Sequence, residues 1–206
     1  MTPTIDDPVV TAALQAASEE NAELARQAWN PDPWAHRDQG YPISPEQGDL
    51  LYVLARAIGA KRVVEFATSI GISTICLAAA VRDNGGGIVI GSELIPEKVR
   101  RARSNVAAAG LEAFVDVREG DGLQTLRDVG GPIDLVLLDG WPGGERPSLD
   151  RRVLEILAPQ MRSGALLLDD NGEDDVLELL RDPAGGFVAA SLPFARASTE
   201  IAVKVG

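Results

Sequence analysis

Cysteine is almost missing from this sequence, and the single Cys76 cannot close an internal disulfide. That fits a reducing, cytoplasmic setting, with Cys76 packed in the core from an Ala-rich helical stretch. Cations are in short supply: 19 Lys and Arg stand against 31 Asp and Glu, a net charge of -12. Such a chain is poorly suited to nonspecific nucleic-acid binding, which needs phosphates neutralised by Lys and Arg. The local run Lys98, Arg100, Arg101 and Arg103 reads as a solvated helix face. No run of about 18 apolar residues exists, so no membrane span is expected. The opening MTPTIDDPVV is acidic and lacks the basic and apolar regions of a signal peptide. Repeats and low-complexity linkers are absent too. What remains is ordinary for a globular protein: 206 residues, 45% apolar and 24% charged, enough for one domain with a sizeable core.

The stretch Arg62 to Leu77, RVVEFATSIGISTICL, organises the rest. Val63-Val64-Glu65-Phe66 reads as a buried strand, Ala67-Thr68-Ser69-Ile70-Gly71 as a small-residue turn, and Ile72 to Val81 as a helix. Strand, tight turn and helix make the first unit of a doubly wound α/β sheet, whose ligands sit at the carboxyl ends of the strands. Small side chains let the turn backbone approach a ligand closely.

Before it, residues 5 to 30 carry apolar positions at helical spacing and read as one or two amphipathic helices. WNPDPW, Trp29 to Trp34, breaks them with two prolines. Ser44-Pro45-Glu46-Gln47 opens a new helix with a capping box, ended by Gly59. After the central stretch, strand and helix alternate. Strands are expected at Ile88 to Gly91, Phe114 to Arg118, Ile133 to Leu138 and Ala165 to Leu168. Helices are expected from Pro96 to Gly110, from Leu123 to Val129, from Leu149 to Met161 and from Asp174 to Arg181. Phe187 to Leu192 and Thr199 to Val205 read as a closing hairpin. The expected fold is therefore α/β, doubly wound and mostly parallel. Its strand ends gather Glu65, Glu93, Asp139 and Asp170 on one edge.

The first turn lacks G-x-G-x-x-G, so a pyrophosphate is poorly served, and no Gly-Lys-Ser/Thr follows to make a P-loop. Glu93 lies 22 residues after Gly71, at the end of the second strand. A carboxylate there can accept both hydroxyls of a ribose. A nucleoside ligand without phosphates is the reading.

VVEFATSIGISTICLA, SELIPEK, EGDG, IDLVLLDGWP, GALLLDDN and the closing SLPF…STEIAVKV resemble the S-adenosylmethionine-dependent O-methyltransferases of the catechol and caffeoyl-CoA type. The resemblance covers about residues 40 to 206. No single motif is specific; their order and spacing are. It implies the class I methyltransferase fold, Rossmann-like, with seven strands and a C-terminal antiparallel hairpin. It divides the chain into an N-terminal helical segment, 1–40, and a methyltransferase domain, 41–206. By position it implies that Glu65, Ala67, Thr68, Gly71 and Ser73 surround the methionine part and ribose of the cofactor, with Ile43 contacting it from the preceding loop. Glu93 would hold the ribose hydroxyls, and Asp121 and Gly122 would line the adenine site. Asp139, beside the cofactor, would bind a divalent cation with Asp170 and Asn171; Asp169 fits the alignment less well. Two carboxylates and an amide oxygen form a hard, all-oxygen set suited to Mg²⁺ or Ca²⁺.

Three departures from the family matter. Pro142 stands where a lysine usually acts as base, three residues after Asp139. Ala67 stands where a glycine is usual. The segment after Asn171 is short, which leaves the acceptor site more open or finished by a partner subunit. Trp141 is expected to border the active site, with packing as the alternative. His36, the sole histidine, is either a base approaching from the N-terminal loop or a surface residue. Trp29 and Trp34 cap the acceptor pocket or pack a dimer contact; many relatives are dimers, which amphipathic N-terminal helices suit. The expected activity is methyl transfer to a small-molecule hydroxyl, assisted by a divalent metal. The rivals are a non-catalytic cofactor-binding protein on the same fold and a metal-independent methyltransferase. A tRNA methyltransferase is disfavoured by the acidity, and a nicotinamide enzyme by the first turn.

Overall fold

The computed structural model describes residues 2–24, 30–170, 172–192 and 199–206. The described helices are α1 (Pro8–Leu24), α2 (Pro45–Ala57), α3 (Ile72–Asp83), α4 (Pro96–Ala108), α5 (Gly122–Thr125), α6 (Leu149–Leu157) and α7 (Asp174–Arg181). The strands are β1 (Arg62–Phe66), β2 (Ile88–Glu93), β3 (Val115–Glu119), β4 (Ile133–Leu138), β5 (Met161–Asp169), β6 (Phe187–Leu192) and β7 (Thr199–Lys204). Among these helices none is long and apolar enough to cross a membrane.

The strands form one sheet in the order β3-β2-β1-β4-β5-β7-β6. The pairs β3–β2, β2–β1, β1–β4 and β4–β5 are parallel, whereas β7 runs antiparallel to both β5 and β6. The closing hairpin is thus the antiparallel edge expected of this fold. The order reverses between β1 and β4, and a crevice opens there beyond the carboxyl ends of the strands.

Side-chain alternation assigns each strand residue to one of two core layers. Val63, Leu135, Leu137, Leu166 and Leu168 face Leu51 of α2 and the Ile75–Val81 stretch of α3. Val64, Val136, Leu138 and Leu167 face Val153, Leu154 and Leu157 of α6 and Val176 and Leu180 of α7. Cys76 is buried at 4% exposure, and burial pushes its thiol up to about 12, so the core role stands. Val10 and Ala13 of α1 join the first layer. Asn21 ties α1 to the chain before α2, accepting the Gly40 N–H at 2.6 Å and donating to its carbonyl at 2.9 Å.

The α2 capping box is present in full. Ser44 N–H donates to Gln47 Oε1 at 2.8 Å, and Gln47 N–H to Ser44 Oγ at 3.3 Å. Elsewhere boundaries differ from expectation. α5 stops at Thr125 instead of running to Val129, because Arg118 Nη1 draws the Thr125 and Asp128 carbonyls at 2.7 and 2.8 Å. α6 ends at Leu157 and tightens into a 3₁₀ turn, Ala158–Gln160, around Pro159. β5 begins at Met161, four residues early, with a register shift against β4 between Ile133 and Leu135.

Gly71 caps α3 at φ 86°, and a Cβ there would lie 3.1 Å from Ala102 Cα on α4. Gly71→Ala combines left-handed strain with a clash against helix backbone. It should cost about 2 kcal/mol, measured by urea unfolding; a change within about 0.5 kcal/mol contradicts this packing.

Candidate active site

The turn after β1 is held open by unusual backbone. Ala67 and Ser69 lie at φ 67° and 53°, where non-glycine residues are uncommon. The position where glycine is usual in the family is therefore a left-handed one, and Ala67 bears the strain. The N–H groups of Ala67 and Thr68 both donate to the Ser92 carbonyl, at 3.0 and 3.1 Å, which pins the turn to β2.

Glu65 sits beneath this turn with no solvent exposure. Its oxygens accept from Ser73 Oγ at 2.5 Å and Thr74 Oγ1 at 2.6 Å, both in the first turn of α3. Burial raises its pKa, against the lowering effect of those hydroxyls. Gly91 on β2 leaves room for the arrangement: a Cβ there would be 2.2 Å from Thr68 Oγ1 and 3.4 Å from Glu65 Oε2. Glu65, Thr68, Gly71 and Ser73 consequently lie under the turn and shape it, while Ala67 and Ser69 form its exposed wall.

That wall belongs to a cleft of about 1360 Å³ at the carboxyl ends of β1, β2, β4 and β5. Ile43 enters from the loop before α2, and Glu93, Asp121 and Gly122 line one side. Glu93 is 7% exposed; it accepts from Ser69 N–H at 2.8 Å and Ile95 N–H at 2.9 Å, and burial raises its pKa. Asp121 caps α5 by accepting the Leu123 N–H at 2.9 Å. Gly122 admits Phe66, whose ring would come within 2.5 Å of a Cβ at that position.

Asp139 and Asp170 line the same cleft from the adjacent strands β4 and β5. Asp170 accepts from Thr199 Oγ1 at 2.6 Å and from Gln47 Nε2 at 3.2 Å to each oxygen. Gln47 thus caps α2 with one end of its amide and holds Asp170 with the other. Asn171 lies outside the described residues, as does Trp29. Among the described residues no group of three His, Cys, Asp or Glu could hold a metal ion.

Asp169 points to the opposite face of the sheet from Asp170, fully buried, with no hydrogen bond to either oxygen among the described residues. Burial and the nearby charges of Asp150, Asp170, Glu200 and Glu173 push it up to about 8. Asp150, at the start of α6, accepts the Gly140 N–H at 3.1 Å, and burial beside Glu173 and Asp175 pushes it up to about 7.

The N-terminal segment crosses the cleft mouth at Trp141. Trp141 Nε1–H donates to the Pro31 carbonyl at 2.9 Å, and its ring meets His36 and Tyr41 at centroid distances of 5.2 and 5.0 Å. The expectation of a surface position for His36 fails. It is 1% exposed, its Nε2 accepts the Asn30 N–H at 2.8 Å, and its Nδ1 meets the Tyr41 hydroxyl at 3.0 Å. With both nitrogens engaged it latches the N-terminal segment against Trp141 and is not a surface residue. Trp34 is 47% exposed, while its neighbour Pro33 lines the cleft.

The basic run on α4 does not form one solvated face. Arg100 pairs with Glu97 at 3.4 Å, Arg101 reaches the Asp38 carbonyl at 2.9 Å, and Arg103 reaches that of Val117 at 2.7 Å. Lys98 turns inward and lines the cleft at 5% exposure. Gln47, Tyr41 and Lys98 are among the cleft residues to which the motifs gave no site role. Only Lys98 carries a local signal: a cation in the first turn of a helix, where the dipole disfavours it.

Fold and cleft together define a class I methyltransferase-type sheet with an open cleft at its switch point. Residues 64–171 match the family described as "Methyltransferase domain", and the chain belongs to that family. It is 39% identical over 135 residues to catechol O-methyltransferase of Mycobacterium tuberculosis, covering 65% of this chain and 53% of that one. It is 30% identical over 156 residues to catechol O-methyltransferase B of Danio rerio, covering 71% and 57%. The chain spans about half the length of these curated relatives. Among solved structures it resembles cofactor-bound Rv0187 from MTB (TM-score 0.72, 29% identity, 97% and 90% covered). It also resembles an O-methyltransferase from Bacillus cereus in complex with SAH (TM-score 0.75, 25% identity, 95% and 91% covered).

The buried acids make stability pH-dependent in a definite direction. A carboxyl with a raised folded pKa keeps its proton in the folded chain after the unfolded chain has lost its own. Asp150 therefore subtracts stability as pH rises from about 4, its unfolded value, towards about 7. Asp150→Asn keeps an acceptor for Gly140 N–H and removes the charge. It should melt a few degrees higher than the parent at pH 8, with the gap closing by pH 5, in parallel thermal scans; a constant gap means the charge is irrelevant.

Proposed function

We propose that this chain is an S-adenosylmethionine-dependent O-methyltransferase acting on a hydroxyl of a small molecule. The observation that carries the reading is the cleft itself. A glycine-poor turn at positive φ and the Glu93 carboxylate stand at the ends of β1 and β2, beside Asp139 and Asp170. A carboxylate at the Glu93 position suits the two hydroxyls of a diol, and the turn suits close backbone approach without a phosphate-binding glycine loop. The catechol O-methyltransferases among the relatives point the same way.

In this reading the turn Ala67–Gly71 and Ile43 seat the methionine part of the cofactor, and Glu93 takes the ribose hydroxyls. Asp121 and Gly122 border the adenine. The cofactor supplies an electrophilic methyl group on a sulfonium, so the chain's main task is to align the acceptor oxygen with it. Trp141 and the segment Asn30–Tyr41 latched to it close one side of the cleft, and Leu50, Val53 and Leu149 give the acceptor an apolar wall.

Asp139 and Asp170 have the right chemistry for a hard divalent cation, such as Mg²⁺ or Ca²⁺, with Asn171 as the third donor. A bound cation would supply Lewis acidity, lowering the pKa of an acceptor hydroxyl. Gln47 and Thr199 hold the Asp170 carboxylate in position. Pro142 leaves the usual lysine base without a counterpart, and His36 does not replace it. With its pKa lowered in that way, the acceptor hydroxyl would lose its proton to water, and no lysine would be required. The absent lysine is also what favours the second reading, a cofactor-binding protein without turnover.

Calorimetric titration with S-adenosylhomocysteine tests the class, and no binding would remove it. Glu93→Ala should weaken that binding about 10-fold or more, since it deletes hydrogen bonds to a charged acceptor. With catechol as acceptor and Mg²⁺ present, methyl transfer should be measurable and should fall at least about 10-fold in Asp170→Ala. Cofactor binding with no transfer would select the non-catalytic reading, and transfer indifferent to chelator the metal-independent one.

A further inference from the structure

Lys98 is an anomaly that the reading above does not use. It is the third residue of α4, after Pro96 and Glu97, where the helix dipole opposes a positive charge. Its neighbours Glu97 and Arg100 pair with each other towards solvent, while the lysine side chain is 5% exposed and faces the cleft. Among the described residues its ammonium makes no hydrogen bond and has no carboxylate oxygen within 4.0 Å. Its nitrogen lies over the Trp141 ring, 5.9 Å from the ring centroid. The charge of Glu93 acts on it from across the cleft wall, that of Arg101 opposes it, and burial lowers its pKa. An ammonium held largely out of water with no hydrogen-bond acceptor among the described residues carries a desolvation cost. A partner supplied by a ligand recovers that cost.

Lys98 has three hydrogen-bond donors and no acceptor, so the partner must offer lone pairs. It shares its part of the cleft with Glu93, an acceptor that takes hydroxyl protons. A vicinal diol between the two gives its protons to the carboxylate and presents its oxygen lone pairs to the ammonium. We propose that Lys98 is a cofactor-binding residue that donates to the ribose hydroxyl oxygens, completing with Glu93 and the Trp141 ring a donor–acceptor bracket for the sugar. This rests on the assignment of the cleft to S-adenosylmethionine. It adds a ligand contact from α4 at Lys98, the last residue of SELIPEK, to which the resemblance gave no role.

The test compares wild type with Lys98→Met, a substitution of similar length without the charge. S-Adenosylhomocysteine and its 2′,3′-dideoxy analogue are titrated calorimetrically, and the ligand-free proteins are melted. The variant is expected to bind S-adenosylhomocysteine about 10-fold more weakly, to bind the dideoxy analogue within about 2-fold of wild type, and to melt no lower than wild type. Unchanged affinity for S-adenosylhomocysteine overturns the proposal. So does an equal loss for both ligands, which places the contact away from the diol. A lower melting temperature with a parallel loss for both ligands marks a structural residue and overturns it as well. Failure of the wild type to bind S-adenosylhomocysteine removes the methyltransferase reading itself, a different result from a wild type that binds and a variant that binds equally.

Discussion

The buried carboxylate of Glu65 is the constraint on which the site depends. It lies at the end of the central strand with no access to water, and its oxygens accept from the Ser73 and Thr74 hydroxyls at the start of α3. Those bonds fix where the helix begins relative to the strand. The chain between must then cover a short distance with Ala67, Ser69 and Gly71 in left-handed conformations. The β2 strand must come close, which requires Gly91, and its Ser92 carbonyl takes two turn N–H groups. A local electrostatic need thus sets the shape of a loop, and the loop sets the wall of the cleft.

The strain is located where small side chains face the cleft. Ala67 and Ser69 occupy conformations that cost energy for any residue with a Cβ. They are held by bonds from both sides, to β2 and to Glu93. Glu93 is itself a link: it accepts the Ser69 and Ile95 amides, so the fold alone orients its carboxylate. Asp170 is treated the same way by Gln47 and Thr199. Groups that would meet ligand are oriented in advance, which reduces what binding must order.

Acid is distributed on both faces of the β5 end. Asp170 faces the cleft, and Asp169 faces α6 and α7, across the ladder from Glu200. Glu200 is compensated on one oxygen by Arg181 at 2.6 Å, whereas Asp169 is not compensated among the described residues. A pair of adjacent aspartates therefore serves two environments, because successive strand residues point to opposite sides.

Sequence alone determined the elements whose cause is local or periodic. The apolar runs of β1 and β4, the alternation of strand and helix, and the Ser44–Gln47 capping box all follow from neighbours within a few residues. So do the strand-end positions of Glu93, Asp139 and Asp170. Tertiary structure decided which of these groups face the cleft. Glu65 and Ser73 satisfy one another under the turn instead of lining it, a pairing made by the return of α3 over β1. His36 is buried because Trp141, 105 positions later by residue number, supplies a ring to pack against. Lys98 leaves its basic neighbours because α4 is rotated so that its position faces the cleft. The end of α5 was set by Arg118 reaching two carbonyls from β3. Such long-range contacts bring together residues that no spacing rule relates, and they appear only once the chain has packed.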